Sequence, residues 1–279
     1  MEILIAQHSG FCEGVERAYR IALEQVKLNH PVYMLGNLVH NTQVVEQFIN
    51  AGAKIIKTLN EVPDNSPGIL LISAHGVSPE IYTEAKRKKL QIIDTTCPWV
   101  KKAQKIAKEL SDCEKNIVIV GDKGHVEVKG LVGWSGGKAI VVENMSDVNS
   151  LSLPKDQPIG VLAQTTQSKE NFNQVVTELK NRFNNVTAFD TICGATAKRQ
   201  AAAVELAKKV DLLLVIGDKM SANTRRLTEL CTETGTRTHQ IQTVSELNTS
   251  WLDGIQKVGI TAGASTPEWV IKAVVAKLA

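Results

Sequence analysis

Cysteine is the residue this chain places most regularly. Of its five cysteines, Cys97 stands in "DTTCPWV" and Cys193 in "DTICGAT", one phrase written twice, 96 positions apart. Cys12, in "GFCEGV", shares a further feature with them: Gly36, Gly121 and Gly217 follow the three cysteines at a common distance of 24 residues, each closing an apolar run, "VYMLG", "NIVIVG" and "LLLVIG". Cys113 also has a glycine at that distance, Gly137, but "GWSGG" is no strand and no Asp-Thr precedes the cysteine. An isolated free cysteine is usually a small buried hydrophobe, and Cys113 and Cys231 read as plain thiols on helices. Three cysteines at one place of a repeat read differently. Three thiolates without a fourth suit either zinc with an open position or an iron–sulfur cluster in which one iron lacks a protein sulfur and is open to substrate.

The same rule delivers polar groups. Four residues past each repeat glycine stand His40, His125 and Ser221, and two further on stand Thr42, Glu127 and Asn223. A second set of junctions supplies His75, Thr165 with Thr166, and Ser265. A lone histidine in a loop is more often structural than chemical, and Ser or Thr before a helix is usually its cap. Three histidines and a glutamate delivered by the repeat favour chemistry. Polar groups at the carboxyl ends of parallel strands, above helix N-termini, are where α/β folds bind ligands, and helix N-termini favour anions. The expected ligand is a small anion.

The elements that must position these residues follow from periodicity. Each cysteine precedes a helical stretch, "EGVERAYRIALEQV", "PWVKKAQKIAKEL" or "ATAKRQAAAVELAKK", then an apolar strand, the glycine and a second helix. A further strand-to-helix junction completes each copy: "ILLISAHGVSPEIY", "IGVLAQTTQSKENF" and "VGITAGASTPEWVI". Strands alternating with helices define an α/β class with mainly parallel sheets. Copies one and two end in strands, "LQIIDTT" and "VTAFDTI", that lead to the next cysteine; copy three ends in a helix, and "MEILIAQ" supplies the strand before Cys12. The expectation is three small α/β domains, 14–96, 97–193 and 194–279 plus 1–13, in a pseudo-threefold trefoil around a central site, with "EILIA" beside "KVGITAG".

Composition sets the frame. The 279 residues are 43% hydrophobic and 22% charged, a globular balance that excludes disorder. No run approaches the ~20 apolar residues of a membrane helix, and "MEILIAQHSG" lacks the character of a secretory signal, so the expected setting is cytoplasmic. A net charge of +3 and the basic run from Lys86 to Lys89 are no nucleic-acid signal, because that run has no interleaved aromatics and reads as a solvated helix end.

Nine blocks in order, "GFCEGV" (10–15), "LVHN" (38–41), "SAHGV" (73–77), "DTTCP" (94–98), "GHVEV" (124–128), "QTT" (164–166), "TICGAT" (191–196), "SANT" (221–224) and "TAGAS" (261–265), resemble the 4-hydroxy-3-methylbut-2-enyl diphosphate reductase (IspH/LytB) family across essentially the whole chain. The resemblance implies one [4Fe-4S] cluster held by Cys12, Cys97 and Cys193. It implies a diphosphate substrate held by His40, His75, His125, Ser221, Asn223 and Ser265, with Thr165 at the substrate hydroxyl and Glu127 as the proton source. It also implies two-electron removal of the allylic hydroxyl, giving isopentenyl and dimethylallyl diphosphate, with a reduced ferredoxin or flavodoxin as donor. Three residues depart from the family pattern: Val126 replaces a usual Pro, expected to loosen the loop of His125 and Glu127; Ala222 replaces a frequent second Ser; Gly194 replaces a larger residue. Two other classes fit the cysteines alone: a non-redox hydro-lyase using a three-cysteine cluster as Lewis acid, and a non-catalytic metal-binding sensor. Turnover without reductant marks the lyase, and absence of turnover the sensor.

Overall fold

The computed structural model describes residues 1–28, 30–64, 67–113 and 115–279. Twelve strands in three four-stranded sheets make up the β-structure of these residues. The strands are β1 (Glu2–Ile5), β2 (Val32–Leu35), β3 (Lys54–Ile56), β4 (Ile69–Ile72), β5 (Gln91–Asp94), β6 (Asn116–Val120), β7 (Ile140–Val142), β8 (Ile159–Ala163), β9 (Val186–Phe189), β10 (Leu212–Ile216), β11 (Arg237–Ile241) and β12 (Lys257–Ala262). The helices are α1 (Glu13–Val26), α2 (Thr42–Asn50), α3 (Pro79–Arg87), α4 (Pro98–Asp112), α5 (Val126–Trp134), α6 (Met145–Asn149), α7 (Lys169–Arg182), α8 (Gly194–Ala207), α9 (Ala222–Thr232) and α10 (Glu268–Leu278).

All strand pairs are parallel, in the orders β3-β2-β4-β5, β7-β6-β8-β9 and β1-β12-β10-β11. Reversing the third gives β11-β10-β12-β1, so each sheet has the strand order 2-1-3-4 and β1 fills the fourth place of the last. Its register, Glu2 with Lys257 through Ile5 with Ile260, is the pairing of "EILIA" with "KVGITAG" that the closed repeat requires. The order reverses between the first and third strand of each sheet. Such a switch point leaves a crevice at the strand ends, and the sequence puts its candidate residues there.

By packing, the chain forms two compact units, one of residues 1–16, 39–46 and 194–279, the other of 17–38 and 47–193. The first holds the sheet of β1, β10, β11 and β12; the second holds the other two sheets. Central strands bury both faces, which is why they read as unbroken apolar runs. Val118, Val120 and Val161 face Val175 and Leu179 of α7, whereas Ile117, Ile119 and Leu162 face Ala103, Ala107 and Leu110 of α4. Likewise Leu212, Leu214 and Ile216 pack with α10, and Leu213 and Val215 with α8 and α9. Helix α4 shows how a sequence stripe becomes packing: Pro98 opens its first turn, and Val100, Ala103, Gln104, Ala107 and Leu110 are its buried face. Gly160 lets Leu110 lie on the sheet, since a Cβ there would sit 2.5 Å from Leu110 Cδ2. Replacing Leu110 by Ala removes a contact worth ~2–5 kcal/mol.

Two features differ from expectation. The second strand of each copy, β3, β7 and β11, was not anticipated. The lysine run is not wholly solvated: Lys88 is buried at the end of α3, its Nζ donating to the Val62 carbonyl at 2.9 Å and to Asp64 at 2.8 Å.

Candidate active site

Backbone bonds fix each copy's two key positions in the same way. The N–H groups of Gly36, Gly121 and Gly217 donate to the last residue of the neighbouring edge strand, Ile56, Val142 and Ile241, all at 2.9 Å. The glycine is needed for conformation at Gly36, with φ +68°, and for space at Gly121, where a Cβ would meet Gln164 at 2.8 Å. Cys12, Cys97 and Cys193 donate their N–H to the carbonyls of Ala264, Ala74 and Thr165 at 3.3, 3.0 and 2.9 Å, each on the loop after its copy's third strand. The chain then enters a helix directly, at Glu13, Pro98 and Gly194. "DT" recurs because Asp94 and Asp190 accept the N–H of Thr96 and Ile192, shaping the turn, while Thr95 and Thr191 donate to the last carbonyls of β4 and β8, both at 2.5 Å.

The donor set fits the implied iron–sulfur group. None of the five cysteines is in a disulfide, but only the three repeat cysteines are half-buried; Cys113 is exposed at the end of α4, and Cys231 is buried in α9, where burial pushes its thiol up to about 12. Accessible thiols at helix starts suit a soft, electron-rich centre.

In the unit of residues 17–38 and 47–193, Glu127, Thr165, His125 and His75 form one connected group. His125 caps α5, its Nδ1 accepting the Glu127 N–H at 3.1 Å. Acceptance at Nδ1 assigns the neutral ring's proton to Nε2. Glu127 is 2% exposed. Its two carboxyl oxygens accept from the Thr165 N–H at 2.7 Å and the Thr165 hydroxyl at 2.9 Å. Burial pushes the Glu127 carboxyl up to about 7, against the lowering pull of both Thr165 bonds and with help from Asp122. His75 meets His125 edge to face, ring centres 5.5 Å apart, and its Nδ1 lies 3.4 Å from the Ser73 hydroxyl.

In the other unit, Ser265 joins the loops of His40 and Ser221, its hydroxyl donating to the His40 carbonyl at 2.8 Å and lying 3.4 Å from Ser221 Oγ. Ser221 caps α9, accepting the Thr224 N–H. Burial lowers the His40 imidazole below its usual range; Asp218 opposes that shift and Arg225 adds to it. Asn223 is 4% exposed, and neither its amide nitrogen nor its oxygen meets a protein partner. A buried amide without a protein partner leaves its hydrogen bonds to be met by water or a bound group.

Asp218 was missed by the sequence reading. One of its carboxyl oxygens accepts the Thr42 N–H at 3.1 Å and the Thr42 hydroxyl at 2.7 Å, and the other accepts the Met220 N–H at 2.7 Å. This ties the His40 loop to the Ser221 loop. The "GDK" echo at 121–123 and 217–219 was the available signal. Gln164 acts similarly in the other unit, accepting the Asp122 N–H at 2.9 Å. Of the departures, Val126 is the first residue of α5, Ala222 is buried at the start of α9, and Gly194 opens α8; nothing in the structure explains Gly194.

Fold and site define an α/β repeat protein whose strand-end loops carry one buried protonatable carboxyl and a set of hydroxyl, amide and imidazole groups. The chain belongs to the LytB protein family, whose model matches residues 3–279. It is 45% identical over 278 residues to the 4-hydroxy-3-methylbut-2-enyl diphosphate reductase of Geobacter metallireducens, covering 100% of this chain and 97% of that one. The enzyme of the same name from Pelobacter propionicus is 44% identical, with 100% and 98% covered. Among solved structures, the E-1-hydroxy-2-methyl-but-2-enyl-4-diphosphate reductase from Plasmodium falciparum is similar with a TM-score of 0.94 and 34% identity, covering 99% of this chain and 87% of that one. A structure of (E)-4-hydroxy-3-methyl-but-2-enyl diphosphate reductase, the terminal enzyme of the non-mevalonate pathway, matches with a TM-score of 0.70 and 38% identity over 100% of this chain and 99% of that one. Among the described residues no helix is long and apolar enough to cross a membrane.

Proposed function

We propose that this chain is a 4-hydroxy-3-methylbut-2-enyl diphosphate reductase, which takes up two electrons and two protons, expels the allylic hydroxyl as water and yields isopentenyl and dimethylallyl diphosphate. The observation that carries the reading is the buried Glu127 carboxyl, paired with Thr165 and holding its proton up to about pH 7.

Hydroxide is a poor leaving group, so the departing oxygen must gain a proton. Glu127 is a suitable donor, because its pKa near the working pH favours both holding and releasing one. The Thr165 hydroxyl, bonded to Glu127, orients the carboxyl and offers a contact to the substrate hydroxyl. Cys12, Cys97 and Cys193 would hold one [4Fe-4S] cluster, which when bound supplies the electrons and an open iron for that hydroxyl. Ser221, Ser265, Asn223, His40, His75 and His125 would hold the diphosphate, at loops where helix starts favour negative charge. Residues 14–96, 97–193 and 194–279 with 1–13 form three domains under this reading. A reduced ferredoxin or flavodoxin is the donor, and the setting is the cytoplasm, in keeping with five unbridged thiols.

Glu127→Gln tests the reading, since it keeps size and removes the acid. With a chemical reductant in excess, turnover should fall ~10²–10⁴-fold while substrate affinity and iron content stay nearly unchanged. A loss below about tenfold returns Glu127 to a structural role.

A further inference from the structure

Arg199 lies in α8, six residues past Cys193, and is 2% exposed. A guanidinium keeps its charge at any working pH, so burial obliges it to find acceptors. Its Nη2 donates to the Gly10 carbonyl at 2.8 Å, two residues before Cys12.

Cys12 is approached differently from the other two repeat cysteines. Strands β5 and β9 run almost directly into Cys97 and Cys193, and Thr95 and Thr191 pin those approaches to the adjoining strand. After β1 the chain makes a longer excursion, residues 6–11, without an Asp-Thr pair. That excursion includes two left-handed residues, His8 at φ 61° and Gly10 at φ 88°. The Cys12 N–H bond is also the longest of the three, at 3.3 Å. The acceptor position that Arg199 uses recurs elsewhere. Arg17 of α1, five residues past Cys12, donates Nη1 to the Thr95 carbonyl at 3.4 Å, two residues before Cys97.

We infer that Arg199 is the positioning residue for Cys12, fixing the segment that presents its sulfur, and that Arg17 is a weaker counterpart for Cys97. The inference rests on reading both cysteines as cluster ligands. Its test reads the thiols directly in the full-length chain. In chelator-stripped protein, alkylation of each cysteine by iodoacetamide would be followed by mass spectrometry. Arg199→Met should speed Cys12 about tenfold through local opening, leaving Cys97 and Cys193 unchanged. Arg199→Lys should give an intermediate rate, and Arg17→Gln a smaller increase confined to Cys97. After anaerobic reconstitution with ferrous iron and sulfide, Arg199→Met should retain under half the wild-type iron. Equal acceleration at all three cysteines in both the Met and Lys variants, or no change at Cys12, overturns the inference. Selective opening at Cys12 in a chain whose wild type binds no iron would sink the cluster reading and leave the positioning role standing.

Discussion

Glu127 carries a cost that its site imposes on the whole fold. The native carboxyl keeps its proton up to about pH 7, whereas the unfolded chain releases it near the ordinary 4.5. The native state therefore binds more protons across that window, and this contribution to stability is present below it and lost as pH rises through it. Glu127→Gln removes the dependence. Urea melts should show the variant gaining on wild type between pH 5 and pH 8, by on the order of 2–3 kcal/mol. Wild-type kcat/KM should decline above about pH 7 as the donor ionises. Asn223 poses the same trade in neutral form. Its buried amide has no protein partner, so Asn223→Ala should leave stability unchanged or raise it by up to ~1 kcal/mol while raising KM about tenfold. These residues were legible because a fixed offset from a glycine delivers them. Asp218 was marked only by the "GDK" echo, which does not name its partner, because Thr42 is distant in sequence.

Among the elements, the turns before Cys97 and Cys193 differ in how much depends on their threonines. The Thr191 hydroxyl both donates to the Ala163 carbonyl and accepts the Ala163 N–H at 2.8 Å, acting as a strand partner at the end of β8. The Ile72 carbonyl, by contrast, receives the Thr95 backbone N–H at 3.1 Å as well as the Thr95 hydroxyl. Thr191→Val should therefore cost ~1–3 kcal/mol in chemical denaturation, and Thr95→Val less. At α5, His125 is already extended, with φ −72° and ψ 140°, as a residue before proline prefers. Val126→Pro at the first helical position should stabilise by ~0.4–1 kcal/mol, read as a rise in Tm. The strands that the sequence did not announce, β3, β7 and β11, are edge strands. "KII" and "IVV" are too short for a period to emerge, and "RTHQI" is mostly polar because all but its last side chain are only partly covered or exposed. Buried central strands such as "LLLVI" need no period, since both faces are apolar.

At the scale of the whole chain, β1 has a consequence for the order of assembly. Strands β5 and β9 pair with chain made shortly before them, Gln91 with Ile69 and Val186 with Ile159. Strand β1 is made long before its partner β12, so two sheets can close while Glu2–Ile5 still waits. Pulsed hydrogen exchange during refolding should find the β1 amides protected after those of β5 and β9. The wait is a matter of chain entropy, because bringing Glu2 to Lys257 closes a loop of nearly the full length. In the other copies a short turn, residues 88–90 or 183–185, joins the last helix to the fourth strand. A linker of similar length from Ala279 to Met1 would give β1 the same local route. Shortening the loop about tenfold is worth ~2 kcal/mol. The circular chain should therefore be the more stable form, and its β1 should no longer lag.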